Sequence, residues 1–296
     1  MSKIVYIVVG PTAVGKTAFA IELAKFLQTE IISADARQCY KELDIGVARP
    51  SVDELSQVPH HFIASHSIFE TVNASVFEQY ALEKSMQLFQ QKEAVVMVGG
   101  TGLYIKAFCE GLDAIPTIAP EIRANIINQY EANGLLWLQE ALAKKDPAYW
   151  AVAEQENPQR LMRALEVIEG VGKSILSFQQ HQKKTRPFKV VKIGLEMPRT
   201  VLYERINQRV LQMIESGLEK EVRSLLPHFS LNALQTVGYK EWESYFEGNI
   251  NQLAVIEAIQ QNTRHYAKRQ MTWFKKDNEI QWHQASDAQA SKIVLT

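Results

Sequence analysis

The 296-residue chain reads as an α/β protein, a parallel sheet flanked by helices and interrupted by a helical insertion. Three observations carry this reading. A β-branched run, Ile4-Val5-Tyr6-Ile7-Val8-Val9, passes through a glycine loop into the helical pattern Ala18 to Leu27. Further apolar runs, Thr29 to Ala34 and Ala94 to Val98, have the continuous character of strands buried on both faces of a parallel sheet. From about Asp113 these strand signals stop, short helices follow, and a strand pattern returns at Val190-Val191-Lys192-Ile193-Gly194-Leu195. The expected organisation is a core of residues 1–112 and 190–296, with a helical insertion at 113–189.

Composition narrows the class. The chain is 46% hydrophobic and 22% charged, ordinary values for a globular protein. No apolar run approaches the ~20 residues of a membrane span. The N-terminus leads directly into a strand, without the pattern of a signal peptide. Cys39 and Cys109 supply neither a disulfide framework nor a metal-ligand pattern, and free thiols fit a reducing cytoplasm. A net charge of −1 gives no global attraction to a polyanion, so nucleic-acid binding must rest on local patches.

The first loop, Gly10-Pro11-Thr12-Ala13-Val14-Gly15-Lys16-Thr17, has the spacing G-x-x-x-x-G-K-T of a phosphate-binding loop. Its glycines let several backbone N–H groups converge on one anion. Lys16 adds a point charge, Thr17 offers a hydroxyl to Mg²⁺, and the following helix adds its positive end. With a strand before it and a helix after it, the loop defines a P-loop nucleoside-triphosphate-hydrolase-like fold. Read alone, it points to ATP.

Two more strand ends address the same crevice, since ligands in such sheets bind at the carboxyl ends of the strands. The strand Thr29 to Ala34 ends in Asp35, expected beside the phosphate loop on a neighbouring strand, as Mg²⁺ ligand, general base or helix cap. The strand 94–98 ends in Gly99-Gly100-Thr101-Gly102, which brings Thr101 to the site. Residues 51–75 read as irregular. The adjacent His60 and His61 lack the converging partners a metal needs.

In the insertion, helices are expected from Pro120 to Asn133, closed by Gly134, and from Leu135 to Lys144. Another starts at Asn157-Pro158, with Asn as cap and Pro in the first turn, and closes at Gly170. Arg160 and Arg163 share one face of it. Residues 179–192 are basic, with His181, Lys183, Lys184, Arg186, Lys189 and Lys192. Beyond them Pro198 opens a long helix on which Arg205 and Arg209 lie one turn apart, facing either a ligand or solvent. A turn at 235–241 leads to another helix. Residues 262–276 interleave Lys and Arg with Tyr266, Trp273 and Phe274, a pattern suited either to RNA binding or to a surface helix with inward rings. A last strand is expected at 279–283.

Together these segments resemble the bacterial tRNA dimethylallyltransferases, also called isopentenylpyrophosphate:tRNA transferases. The matching stretches are Gly10 to Thr17, Ile32-Ser33-Ala34-Asp35 with Arg37-Gln38 and Tyr40, Asp44-Ile45-Gly46, Val98 to Tyr104, Asn157 to Arg160 with Arg163 to Glu166, Gly238-Tyr239, and Thr263 to Phe274. They occur in the family's order and span nearly the whole chain. Departures are Val14 for a common Ser, Ala36 for a Ser after the Asp, and Val47 and Arg49 within a Gly-Thr-Ala-Lys-Pro pattern.

The resemblance implies transfer of a dimethylallyl group from dimethylallyl diphosphate. The acceptor is N6 of the adenosine just 3′ of the anticodon, in tRNAs reading codons that start with U. It implies Asp35 as general base, Thr101 as a contact to the acceptor nucleotide and Arg209 on the leaving diphosphate. Mg²⁺ is the implied cofactor, held in part by Thr17. The implied tRNA contacts are Asp35, Ala36, Arg37, Gln38, Thr101, Arg123, Gln159, Arg160, Leu161, Met162, Arg163, Gly238, Tyr239 and Lys240. The expected partners are the tRNA anticodon stem-loop and dimethylallyl diphosphate, with a cytoplasmic, monomeric chain and no membrane. Three competing readings share the loop: an ATP-dependent small-molecule kinase or NTPase, an adenylate isopentenyltransferase acting on free nucleotides, and an RNA-binding protein that merely retains a nucleotide loop. The arginines of the insertion and the segment 263–276 speak for tRNA, because a free nucleotide needs no such grip.

Overall fold

The computed structural model describes residues 3–179 and 182–295; His181 of the basic stretch lies outside the described residues. In chain order the elements are β1 (Ile4–Val9), α1 (Lys16–Phe26), β2 (Ile31–Ala34), α2 (Val52–Gln57), β3 (His60–His61), α3 (Ala74–Leu88), β4 (Ala94–Gly99) and α4 (Gly102–Glu110). The middle of the chain forms α5 (Pro120–Lys145), α6 (Pro147–Trp150) and α7 (Pro158–Val171). Then come β5 (Lys189–Glu196), α8 (Arg199–Glu215), α9 (Leu218–Leu225), α10 (Glu243–Phe246), α11 (Gln252–Phe274), β6 (Ile280–Gln284) and α12 (Ala290–Leu295). The chain divides into two units, with boundaries between Cys109 and Glu110 and between Lys184 and Thr185, each a few residues N-terminal to the bounds expected from sequence.

The first unit is built on a six-stranded sheet in the order β3-β2-β4-β1-β5-β6, with every pairing parallel. Parallel strands need helices on both faces, which is why β1 and β4 are apolar at consecutive positions rather than alternate ones. Phe19, Leu23 and Ala24 of α1 pack with Tyr6, Val8, Val96 and Ile193 of the sheet in one core. Val5, Ile7, Met97, Phe77 and Phe108 are also buried.

The order corrects one expectation. Asp35 follows β2, and β4 lies between β2 and β1, so Asp35 stands one strand away from the phosphate loop. The segment 51–75 is also more regular than expected. Ser51 accepts from Glu54 N while Glu54 accepts from Ser51 N, a capping box that starts α2. The short β3 then extends the sheet beside β2. His61 Nε2 meets Glu30 at 2.6 Å and His60 Nδ1 meets the Val58 carbonyl at 2.7 Å, so both histidines have structural partners.

In the second unit, α5 is broken at Gly134, where φ of 74° marks the helix-to-helix turn. Asn157 caps α7 through Arg160 N at 3.3 Å. That helix ends at Gly172, in the left-handed conformation, not at Gly170. Gly170 instead lets Ile118 approach, since a Cβ there would lie 2.6 Å from Ile118. Leu138 and Leu142 of α5 and Leu161, Met162 and Leu165 of α7 form this unit's core.

The carboxyl end of β4 tolerates no side chain. A Cβ at Gly99 would fall 2.2 Å from the Ala34 carbonyl oxygen of β2, a backbone atom that cannot swing aside. Gly99→Ala is therefore expected to destabilise the fold by about 1–3 kcal/mol. Chemical denaturation of the purified variant measures this, and an unchanged midpoint would contradict the packing.

Candidate active site

The first unit brings three strand-end loops together at the carboxyl edge of the sheet. The phosphate loop leaves β1 at Gly10, whose φ is 145°. A Cβ there would lie 2.5 Å from the Leu195 carbonyl, so only glycine permits the turn. Ala13 is left-handed at φ 66° and Gly15 at φ 106°; Gly15 is the cap of α1, which begins at Lys16. The loop thus presents backbone N–H groups and a helix N-terminus to one point. Pro11, Ala13 and Val14 are buried, and the half-buried Lys16 donates to the Pro11 carbonyl at 2.7 Å.

The charge around this loop is predominantly positive. Burial pushes Lys16 down to about 7, the Arg209 guanidinium pushes it the same way, and Asp35 pulls it partly back. Arg209, on α8, is lowered by burial and by Arg205 one turn before it, against a partial upward pull from Glu54. Arg205 reaches the loop too: a Cβ at Gly15 would stand 4.0 Å from its Nη2. Arg209 and Lys16 have no ion pair among the described residues. The sequence placed Arg205 and Arg209 on one face but not Arg205 against the loop, a closeness set by the packing of α8 beyond β5.

The other part of the site is formed by the ends of β2 and β4. Asp35 Oδ1 accepts from Arg37 N at 2.8 Å and from Gln38 N at 3.1 Å. The residue is therefore a turn cap, and its second carboxylate oxygen carries no hydrogen bond among the described residues. Thr101 Oγ1 accepts from Ala36 N at 3.0 Å, and Thr101 N donates to the Ala34 carbonyl at 3.2 Å. These bonds lock the two loops together, with Thr101 immediately before α4. Gln38 Nε2 donates to Val47 and Ala48 carbonyls at 3.2 and 2.9 Å, and Arg37 Nη1 lies 3.5 Å from Asn232 Oδ1.

Helix α11 closes over these loops. Tyr266, Gln270 and Phe274 follow helical spacing on one inward face, while Lys268, Arg269, Lys275 and Lys276 are exposed. Tyr266 and Phe274 thus take the inward placement of the surface-helix reading, with the cations outward. The Tyr266 hydroxyl faces Thr101 and Asp35, and burial followed by the Asp35 charge raises its pKa. Trp273 covers Gly102, where a Cβ would lie 2.2 Å from the indole nitrogen. Gln270, read from sequence only as part of an RNA-binding stretch, bonds two of the strand-end loops.

The turn at 238–240 differs from its expected role. Tyr239 is fully buried, and its hydroxyl donates to Glu221 at 2.6 Å. Glu221 also accepts from Ile45 N at 2.8 Å and Gly46 N at 3.1 Å. Burial and the Glu221 charge drive the Tyr239 pKa up. Tyr239 is therefore a strut under the 44–49 loop, and its side chain is withdrawn from any RNA. Gly238 is buried beside it, while Lys240 is exposed.

In the second unit, Leu161 and Met162 are buried, so their side chains are corrected from tRNA contacts to core. Gln159, Arg160 and Arg123 are exposed and Arg163 partly so. Glu166, 5% exposed, accepts from Arg123 at 2.8 Å and Arg163 at 2.9 Å, while Arg160 pairs with Glu154 at 2.7 Å.

For a metal, the described residues contain no group of three His, Cys, Asp or Glu side chains. The Thr17 hydroxyl, half-buried at the start of α1, has no hydrogen-bond partner among the described residues. That sparse oxygen set suits Mg²⁺, which keeps waters and binds chiefly through substrate phosphates.

A parallel sheet carrying this loop, with unpaired cations around it and a fixed carboxylate one strand away, has the architecture of a P-loop protein and an electrostatic setting suited to an anionic ligand. The IPP transferase family model matches residues 38–277. A tRNA dimethylallyltransferase of Christiangramia forsetii is 48% identical over 282 residues, 95% of this chain and 93% of the relative. The tRNA dimethylallyltransferase 1 of Bacteroides thetaiotaomicron is 46% identical over 276 residues, covering 93% and 90%. The crystal structure of a tRNA isopentenylpyrophosphate transferase from Bacillus halodurans superposes with a TM-score of 0.71 at 35% identity, covering all of this chain and 94% of that one. A eukaryotic dimethylallyltransferase acting on tRNA shares the fold, with a TM-score of 0.82 at 24% identity over 99% of this chain and 78% of its own. The chain belongs to the IPP transferase family.

The lowered Lys16 gives a pH prediction. Between about 7 and its ordinary 10.5, Lys16 holds fewer protons folded than unfolded, so its contribution is a penalty that eases as pH rises through that window. A diphosphate held at the loop would favour the protonated form of Lys16. Above pH 7, calorimetry of pyrophosphate binding in buffers of different ionisation enthalpy is expected to show proton uptake that Lys16→Met lacks. The same variant is expected to unfold at a higher temperature at neutral pH. Equal proton uptake in both proteins would contradict the assignment.

Proposed function

We propose that the chain transfers a dimethylallyl group from dimethylallyl diphosphate to N6 of the adenosine immediately 3′ of the anticodon, in tRNAs that read codons starting with U. The products are N6-isopentenyladenosine and diphosphate. The observation that carries this reading is the pairing of an anion loop short of counter-charge with Asp35, close enough for its charge to act on Lys16. Membership of the IPP transferase family supports carbon transfer over phosphoryl transfer.

The loop amides, Lys16 and Arg209 bind the diphosphate and take up the charge that develops as the bond from the allylic carbon to oxygen breaks. The N6 lone pair forms the new bond to that carbon. The nitrogen then carries a proton it must lose, and the open oxygen of Asp35 accepts it. The two backbone donors on the other oxygen hold the carboxylate in place. Thr101 orients the acceptor nucleotide, its hydroxyl fixed by Ala36 N. Mg²⁺, held in part by Thr17, supplies Lewis-acid stabilisation of the leaving diphosphate when bound.

Reaching this site takes the adenine out of its stack, at a cost of a few kcal/mol. In our reading the exposed or partly exposed Arg123, Gln159, Arg160 and Arg163 contact the anticodon stem-loop, Ala36, Arg37, Gln38 and Lys240 contact the tRNA as well, and these contacts offset that cost; Gly238 is too buried to take part. The reaction is cytoplasmic, and a single chain carries it.

Purified protein with Mg²⁺, dimethylallyl diphosphate and unmodified tRNA is expected to yield prenylated adenosine by mass spectrometry. Asp35→Asn, which keeps an oxygen for the Arg37 and Gln38 amides but cannot take up the proton, is expected to retain tRNA binding and lose about 10²–10⁴-fold in rate. Absence of product, together with phosphate release from ATP, would overturn the reading in favour of a kinase. Arg160→Ala is expected to weaken tRNA binding and lower its log–log salt slope by about 1. A slope identical to wild type would remove Arg160 from the phosphate contacts.

A further inference from the structure

Gln270 has no part in anion binding or acceptor activation as described above, yet it touches both halves of the site. It lies on α11, 5% exposed. Its Oε1 accepts from Thr12 N at 2.8 Å, in the phosphate loop after β1. Its Nε2 donates to the Gly100 carbonyl at 3.0 Å, in the loop after β4. One planar amide thus satisfies backbone groups of two loops that no other described hydrogen bond joins. The paired register of β1 and β4 ends at Val8 and Val98, short of both loops.

Gly100 is shaped for this contact. A Cβ there would lie 2.1 Å from Gln270 Nε2, whereas the nearest atom of any other residue, the Tyr266 hydroxyl, would be 4.0 Å away. Only Gln270 requires the bare backbone. The bond also needs an acceptor and a donor on the same head group. A carboxylate keeps the acceptor for Thr12 but sets an oxygen against the Gly100 carbonyl, and a methyl side chain keeps neither.

We propose that Gln270 is a positioning residue that sets the distance between the diphosphate loop and the acceptor-side loop, where Thr101 follows Gly100. This inference rests on the transfer reaction proposed above. In that reaction the allylic carbon is held from the β1 side and the incoming nitrogen from the β2 and β4 side. Bond formation needs them aligned at near-attack distance, and a displacement of about 1 Å costs about 10²-fold in rate. The bridge does not enter the affinity for either substrate alone, because each substrate is bound within its own half.

The test compares full-length wild type with Gln270→Glu, Gln270→Ala, Gly100→Ala and the Gly100→Ala/Gln270→Ala double variant. Single-turnover transfer to unmodified tRNA is measured at saturating dimethylallyl diphosphate, alongside separate affinities for pyrophosphate and for tRNA. Both Gln270 variants are expected to lose about 10²-fold in transfer rate, with both affinities unchanged in the uncharged Gln270→Ala. Gly100→Ala, which expels the amide from the other side, is expected to slow transfer in the wild-type background and to add nothing once Gln270 is alanine. A wild-type rate in Gln270→Glu, a loss of pyrophosphate affinity in Gln270→Ala that parallels its loss of rate, or additive effects in the double variant would each overturn the proposal. Should Gln270→Ala fail to fold, Gln270→Glu and Gly100→Ala keep the comparison decisive. Wild-type protein that forms no prenylated adenosine would overturn the transfer reaction itself, a result distinct from any difference among variants.

Discussion

The structure turns on an excess of positive charge gathered at the phosphate loop. The Arg209 charge acts on Lys16, the exposed Arg205 acts on Arg209, and neither Lys16 nor Arg209 has a carboxylate partner among the described residues. Their mutual repulsion and partial burial are unfavourable in the free protein, as the lowered Lys16 and Arg209 both register. In the reaction proposed above, a bound diphosphate relieves that repulsion. Asp35 tempers the excess without neutralising it, since one of its oxygens is committed to the Arg37 and Gln38 amides.

Holding that charge in place is the work of the sheet edge and the helices that cap it. The parallel strands deliver their loops to one edge, but strand pairing alone leaves the loops free to drift. Three sets of buried polar contacts restrain them. Thr101 ties the β4 loop to Ala36, Gln270 ties it to the phosphate loop, and Glu221 with Tyr239 supports the 44–49 loop from the far side. Each uses a side chain distant in sequence to satisfy backbone groups that the sheet leaves open. The glycines at 46, 99, 100 and 102 mark where these side chains or a neighbouring strand need room.

How much of this was legible in the sequence follows from how local each feature is. The phosphate loop is local, with strand, glycines, lysine and helix all within one short stretch, and β1, β4 and the Asn157 cap were readable in the same way. The start of α2 was equally local, because Ser51 and Glu54 spell a capping box, though the proline and histidines that follow it obscured the signal. Strand order was not legible, since nothing near Asp35 reveals that β4 separates β2 from β1. Nor was the role of Gln270, whose partners lie 258 and 170 positions away. Its helical spacing from Tyr266 and Phe274 was the available clue. Leu161, Met162 and Tyr239 lie within stretches that resemble tRNA contacts, but an apolar side chain on an amphipathic helix or beneath a turn serves the core first.

The central claim is that the loop holds a leaving group, so that a carbon–oxygen bond breaks rather than a phosphorus–oxygen bond. Dimethylallyl diphosphate carrying a heavy-oxygen label at the bridging position between carbon and phosphorus tests this directly. After reaction with tRNA, mass spectrometry of the released diphosphate is expected to find the label retained there, with none in an alcohol product. Recovery of the label in dimethylallyl alcohol or its monophosphate, with the tRNA unmodified, would place the cleavage at phosphorus and contradict the account.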